Sequence, residues 1–362
     1  MIDKILLFPY WLSLKIRHFL YDAGLKKVRS ADVPTICIGN ITVGGTGKTP
    51  HTEMLIRTLL QDQEWGGKNL AVLSRGYKRK TKGFQQVTAD GSAAAYGDEP
   101  LQIKKKFPGI TVAVDGNRIE GCDFLAHPEK LQSSKKARKC MDKNLPASDL
   151  IILDDAFQHR SLKPTLSIVL VDYNRPIFKD HLLPFGRLRD LPQRIAAADI
   201  VIVSKCPKYL DSWEKSKWTA ALGIKENQHI FFTTIAYDTA QPIFKEGDPR
   251  YLYAQRLILF TGIANDAPMA RHLSTTYKIV KHFNFPDHHK FTRSDILSIR
   301  DASDAFPTSV LMTTEKDCQR VRDSKAVPES LKRRLFYAPI KTEFLSPEDK
   351  EQFASVLMSY LK

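Results

Sequence analysis

Gly47, Lys48 and Thr49 close the stretch "NITVGGTGKTP" (40–50), the combination of residue types that holds a nucleotide phosphate. In such a loop backbone N–H groups wrap the phosphates, the lysine reaches the β/γ oxygens, and the Thr hydroxyl sits on Mg²⁺. The expected loop is Thr42, Val43, Gly44, Gly45, Thr46, Gly47, Lys48 and Thr49. Thr42 stands where the pattern usually begins with glycine, while Gly44 and Gly45 supply the conformational freedom. A glycine-rich turn without a ligand would match the composition. The order of elements favours the phosphate loop: a β-like run, Val33–Ile38, precedes it and a helix-like run, Thr52–Gln61, follows.

A second cluster ends an apolar run: "DLIILDDAFQHR" (149–160) places Asp154 and Asp155 directly after a strand-like stretch. In a phosphate-loop enzyme a carboxylate there holds Mg²⁺ opposite the loop Thr, and a second acid completes the metal shell or orients an attacking group. A helix-capping Asp would explain one acid better than two. "AYGDEP" (95–100) sets two acids in a rigid turn, and "FNFPDHHKFT" (283–292) gathers titratable groups behind a proline; alone, each is ordinary turn chemistry. No third ligand at useful spacing accompanies the paired histidines.

Positioning these groups falls to short, continuously apolar runs: Thr35–Ile38, Leu70–Leu73, Thr111–Val114, Leu150–Leu153, Ile168–Val171 and Ile200–Val203. Such runs predict a mostly parallel α/β sheet covered by helices on both faces, with ligands beyond the carboxyl ends of the strands. The phosphate loop, "SRGY" and "DD" all follow strands in this way. Beyond "SKCP" (204–207) a helix (Ser212–Leu222) and a strand (Ile230–Ala236) lead to a second, smaller α/β segment. Its expected elements are strands Leu257–Phe260, Tyr277–Lys281, Val310–Thr313 and Leu335–Ala338, helices after "TGIAND" and near Ser294–Ser303, and a final helix from Pro347. The expected division is 1–225 for the nucleotide-binding part and 226–362 for linker strands and the smaller domain.

The 362 residues carry 55 basic and 40 acidic side chains, a net charge of +15, which implies an anionic partner. Five scattered cysteines (37, 122, 140, 206, 318) without metal spacing read as free thiols. The basic clusters "KRKTK" (78–82), "KKK" (104–106) and "KKARK" (135–139) read as solvated surface. The N-terminal stretch has no small-residue cleavage site, and no run reaches the ~18 apolar residues of a membrane span. It predicts a helix started by Pro9 and ended by Gly24, with Phe8, Leu12, Ile16, Phe19, Leu20 and Ala23 on one side and Leu14 off it. Trp11, Tyr10, Tyr21, Lys26, Lys27 and Arg29 suit a membrane interface; the same helix could equally dock on the protein's own core.

"TVGGTGKTP", "LSRGY", "GDEP", "LDDAFQH", "LLPFGRLRD", "FTGIAND", "FPDHHKF" and "TTEKD" occur in this order from residue 42 to 317. Together they resemble the tetraacyldisaccharide 4′-kinases, the lipid A 4′-kinases of Gram-negative bacteria. The resemblance implies two α/β domains around a cleft, joined by a short β linker. It implies transfer of the ATP γ-phosphate to the 4′-hydroxyl of a tetraacylated glucosamine disaccharide 1-phosphate, at the cytoplasmic face of the inner membrane. By the same resemblance Lys48 meets the phosphates, and Thr49, Asp154 and Asp155 meet Mg²⁺. Asp98 takes the acceptor hydroxyl, and a histidine of "DHH", His288 rather than His289, partners it. Asp190 stands where the family commonly has Glu, and neither it nor "VDGNRIEG" (114–121) receives a role. An anionic, acylated substrate in an anionic bilayer accounts for the charge and makes the N-terminal helix an interface anchor.

Two other readings compete. A phosphate-loop GTPase or metallochaperone needs a guanine-reading Asn-Lys-x-Asp, and "SKCP" supplies neither Asn nor Asp. A nucleic-acid-binding ATPase needs aromatics among its basic clusters, which hold almost none. No nucleic acid and no obligate protein partner are therefore expected.

Overall fold

The computed structural model describes residues 2–133, 145–287 and 289–362; "KKARK", Cys140 and His288 lie outside them. Two compact units account for the chain, Met1–Ile235 with Thr342–Lys362, and Ala236–Lys341. This differs from the expected 1–225/226–362 division, because the C-terminal stretch returns to the first unit.

The first unit is built on a nine-stranded sheet. Its strands in chain order are β1 (Thr35–Asn40), β2 (Leu70–Ser74), β3 (Gln85–Gln86), β4 (Thr111–Val114), β5 (Leu150–Asp154), β6 (Leu166–Asp172), β7 (Ile200–Ser204) and β8 (His229–Tyr237), with β14 (Ile340–Phe344) at one edge. The order is β14-β8-β7-β6-β1-β5-β2-β4-β3. Pairing from β8 through β4 is parallel, and β3 is antiparallel. Successive residues of a strand face opposite sides, and here both sides are apolar. Ile36 and Ile38 join one core with Val72, Ile152, Leu170 and Ile202, while Cys37 joins the other with Leu73, Leu153, Val171 and Val203. Continuous Val/Ile runs are what such a doubly covered sheet needs.

Helix α2 (Lys48–Gln61) covers the first face with Met54, Leu55, Ile56 and Leu59, and the helix Pro347–Ser359 adds Phe353 and Leu357. On the other face Leu14 of α1 (Ile2–Asp22) enters the core. Pro9 lies inside α1 rather than starting it.

The second unit holds a sheet ordered β11 (Lys278–Asn284), β10 (Arg256–Thr261), β12 (Val310–Thr314), β13 (Leu335–Ala338) and β9 (Gln241–Pro242). β11, β10, β12 and β13 are parallel. Leu257 and Leu259 pack on one face, Ile258 and Phe260 on the other. Of the basic clusters, "KKK" departs from a solvated surface: Lys106 pairs at 2.6 Å with Glu53, which is buried and also meets Arg57 and Gln102.

Candidate active site

The phosphate loop links β1 to α2, and its backbone turns on glycine. Gly44 and Gly47 have φ of 102° and 87°, values that side chains with a Cβ seldom tolerate. Gly47 caps α2, whose first turn carries no acidic residue, so the positive end of the helix dipole meets an anion unopposed. Thr42 is buried and forms an antiparallel bridge to Leu188; Val43 donates its N–H to the Arg187 carbonyl at 2.7 Å. The "GRLRD" stretch therefore runs along the start of the loop. Thr46 is buried, Lys48 opens α2, and Thr49 follows it half-buried.

Asn40, fully buried at the end of β1, organises the loop from beneath. Its Nδ2 donates to the Thr46 hydroxyl at 2.8 Å, and its Oδ1 accepts from Arg189 at 2.5 Å and from Lys48 Nζ at 3.5 Å. Asp154 ends β5 and Asp155 follows with φ 52°. Asp155 faces Lys48 Nζ at 3.8 Å, and the Arg189 guanidinium donates to both of its oxygens. Burial alone would raise the Asp155 pKa, but Lys48 and Arg189 outweigh it and hold the carboxyl below its ordinary value.

Asp154 behaves oppositely. Burial, and next the charge of Asp155, push its pKa up to about 6. Among the described residues it receives only long hydrogen bonds, from Ser74 at 3.3 Å and Thr52 at 3.4 Å. A buried carboxylate that holds its charge reluctantly, beside a second carboxylate and a Thr hydroxyl, is a hard-oxygen donor set that fits a divalent cation such as Mg²⁺.

Asp98, half-buried, opens the helix Asp98–Lys106 in the first unit. His289 belongs to the second unit, where its Nε2 lies 2.8 Å from Asp295 and its ring stacks on Phe285. Nearby, Asp317 of "TTEKD" accepts the Gly262 N–H at 2.9 Å and the Thr314 hydroxyl at 2.7 Å, so this motif and "FTGIAND" fasten the ends of β12 and β10 together.

Several site residues escaped the sequence reading. Arg189 was in view within "GRLRD", but nothing local signals its reach to Asp155. Arg118, in the unassigned "VDGNRIEG", is buried with one guanidinium nitrogen 3.4 Å from the Asp154 carbonyl. Asp190 is buried and accepts from His18 Nε2 at 2.6 Å. Arg160 donates to His18 Nδ1 at 3.1 Å, which fixes the Nε2–H tautomer. Burial lowers the His18 pKa despite the opposing pull of this carboxylate. The Tyr10 hydroxyl donates to the Arg189 carbonyl at 3.0 Å and Arg17 to the Gln158 carbonyl at 2.5 Å. Helix α1 thus docks on the protein's own core, as one of its two readings allowed. Most of the apolar side expected from spacing still faces outward: Phe8, Leu12, Ile16 and Phe19 are exposed, as is Trp11, while Leu20 is half-buried.

Comparison with known proteins follows the same lines. The family model for LpxK, tetraacyldisaccharide-1-P 4′-kinase, matches residues 4–362. The tetraacyldisaccharide 4′-kinase of Phocaeicola vulgatus is 39% identical over 359 residues, 98% of this chain and 93% of that protein. That of Bacteroides thetaiotaomicron is 37% identical over 366 residues, covering 98% and 91%. The crystal structure of an "apo" form of LpxK from Aquifex aeolicus in complex with ATP matches over 100% of both chains, with a TM-score of 0.72 and 25% identity. A phosphate loop, an acid pair and a full-length match of this kind place the chain in the tetraacyldisaccharide-1-P 4′-kinase family.

Proposed function

We propose how this chain's residues divide the work of the family reaction, ATP-dependent phosphorylation of the 4′-hydroxyl of a tetraacyldisaccharide 1-phosphate. The observation that carries the reading is Asp155 held between Lys48 and Arg189, beside a buried Asp154, at the mouth of a glycine-turned loop. Residues 42–49 bind the ATP phosphates through backbone N–H groups, and Lys48 sits on the phosphoryl oxygens. Thr49, Asp154 and Asp155 would hold Mg²⁺, which neutralises phosphate charge when bound. Arg189 keeps Asp155 ionised and aimed.

The γ-phosphoryl passes from ADP oxygen to the sugar 4′-oxygen, whose proton must leave. Asp98 accepts it, with His288 orienting or sharing the proton; these roles rest on the family resemblance. His288 remains the choice over His289, which already serves Asp295 and Phe285.

The lipid substrate puts the enzyme at the cytoplasmic face of the inner membrane. Exposed Phe8, Trp11, Leu12, Ile16 and Phe19, with Lys15 beside them, support an interfacial seat for α1. Among the described residues no helix is long and apolar enough to cross a membrane. The deciding assay incubates purified protein with ATP, Mg²⁺ and tetraacyl disaccharide 1-phosphate in detergent and weighs the lipid by mass spectrometry. One added phosphate on the non-reducing sugar is expected; its absence overturns the reading.

A further inference from the structure

The phosphate loop is held on its outer side as well as from beneath. Three successive loop carbonyls each accept a hydrogen bond from a side chain: Gly45 from Lys205 Nζ, Thr46 from Ser204 Oγ at 2.8 Å, and Gly47 from His51 Nδ1 at 2.7 Å. Each donor is itself anchored. Lys205 Nζ also donates to Asp172, a buried carboxylate ending β6, at 2.6 Å. Ser204 ends β7 and is fully buried. His51 is fully buried, and because its Nδ1–H serves a carbonyl, its Nε2 accepts from the Thr233 hydroxyl at 2.9 Å. Lys205 adopts φ 61°, a left-handed backbone that a lysine takes only when its surroundings impose it.

In a trans peptide the carbonyl and the following N–H point opposite ways. Fixing the Gly45 carbonyl turns the Thr46 N–H to the other side, where it closes the loop on the Gly44 carbonyl at 3.0 Å; fixing the Thr46 and Gly47 carbonyls turns the Gly47 and Lys48 N–H groups to the side where a phosphate cradle needs donors. A loop with Gly44, Gly45 and Gly47 has many conformations to lose on binding, and pinning it beforehand removes that cost from nucleotide affinity.

We infer that Lys205, oriented by Asp172, is a positioning residue for the nucleotide phosphates, the charged member of a bracket that it forms with Ser204 and His51. It acts through the loop backbone and need not touch the nucleotide. The inference rests on residues 42–49 being the phosphate cradle, and it gives "SKCP" a purpose other than reading guanine.

The test measures steady-state kinetics in ATP, and the thermal shift produced by Mg·ATP, for Lys205→Met, Lys205→Arg, Asp172→Asn and the Lys205→Met/Asp172→Asn pair, with Lys48→Ala as control. Losing a charge-assisted hydrogen bond should raise KM for ATP by about tenfold to a hundredfold in Lys205→Met. Its kcat should change by less than about threefold, since uniform binding is what is lost. The nucleotide-free melting temperature should fall in Lys205→Met, which leaves buried Asp172 without its cation, and fall less in the double variant, whereas the ATP-induced shift should shrink in both. Lys205→Arg should recover most of the affinity, and the double variant should be little worse than Lys205→Met. Unchanged KM and thermal shift in Lys205→Met, alongside an inactive Lys48→Ala, would overturn the bracket and leave the cradle standing. Additive losses in the double variant would remove Asp172 from the role. Wild-type turnover and ATP binding in Lys48→Ala would instead overturn the cradle itself.

Discussion

Asp154 and Asp155 are neighbours with opposite proton affinities, and the difference lies in what surrounds each. Lys48 and Arg189 favour the charge on Asp155, whereas Asp154 is buried beside that charge. Removing Lys48 takes a cation from Asp155 and, on the proposed reading, from the transferring phosphoryl group. Lys48→Ala should lower kcat/KM by about 10²–10³ or more, with circular dichroism unchanged. Arg189→Met should act similarly, though through Asp155. Asp98→Ala and His288→Ala should each depress kcat with ATP affinity retained, and the double variant should lose little more, because residues acting as a unit are non-additive; fully additive losses would separate them.

His51 makes a prediction of another kind. Burial lowers its pKa to about 4, whereas the unfolded chain protonates it near 6.5. Between those values the unfolded state binds more protons, so stability falls as pH drops from about 6.5 to about 4, and the loss then levels off. The window corresponds to roughly 3 kcal/mol. Urea unfolding across it should show that slope in the wild type and a shallower one in His51→Gln.

At the scale of elements, α1 has two separable sides. Leu14, His18 and Tyr10 face the protein; Trp11 and Phe19 face outward. Trp11→Ser with Phe19→Ser should weaken sedimentation with anionic vesicles while ATP binding and melting temperature persist. His18→Ala should do the reverse, costing ~1–3 kcal/mol of stability through the unpaired Asp190. Equal vesicle binding by the double Ser variant would reject the interfacial seat.

This helix also marks how far sequence carries. Periodicity found its apolar stripe and treated Leu14 as the misfit, yet Leu14 is the side chain that enters the core, because a stripe does not say whether it faces protein or bilayer. The parallel strands were legible because both faces of the sheet demand apolar residues in succession. The loop, Asp154 and Asp155 were legible because their spacing is local. Asn40, Arg189 and Lys205 were not, since their partners lie 6 to 160 residues away in the chain. Their meaning comes from strands β1, β6 and β7 ending side by side.

At the scale of the molecule, the two units should respond separately to damage. Phe353 is 1% exposed and packs edge-on against Phe231 at 5.3 Å between ring centroids; Phe336 is fully buried in the second unit. Phe353→Ala and Phe336→Ala should each cost about 3–5 kcal/mol. Calorimetry should show the loss in a different part of the unfolding profile for each variant; identical displacement of the whole profile would mean that the units melt as one.

The return of Thr342–Lys362 to the first core sets an order of events during synthesis. All of Ala236–Lys341 leaves the ribosome before the first sheet can gain β14 or cover Phe231 with Phe353. The second unit is contiguous and can fold while the earlier one waits with an open sheet edge and an uncovered apolar face, a state open to chaperones and proteases. A chain cut at residue 341 and released from the ribosome would therefore carry a complete second unit beside a first unit whose sheet lacks β14 and whose Phe231 has no Phe353 over it.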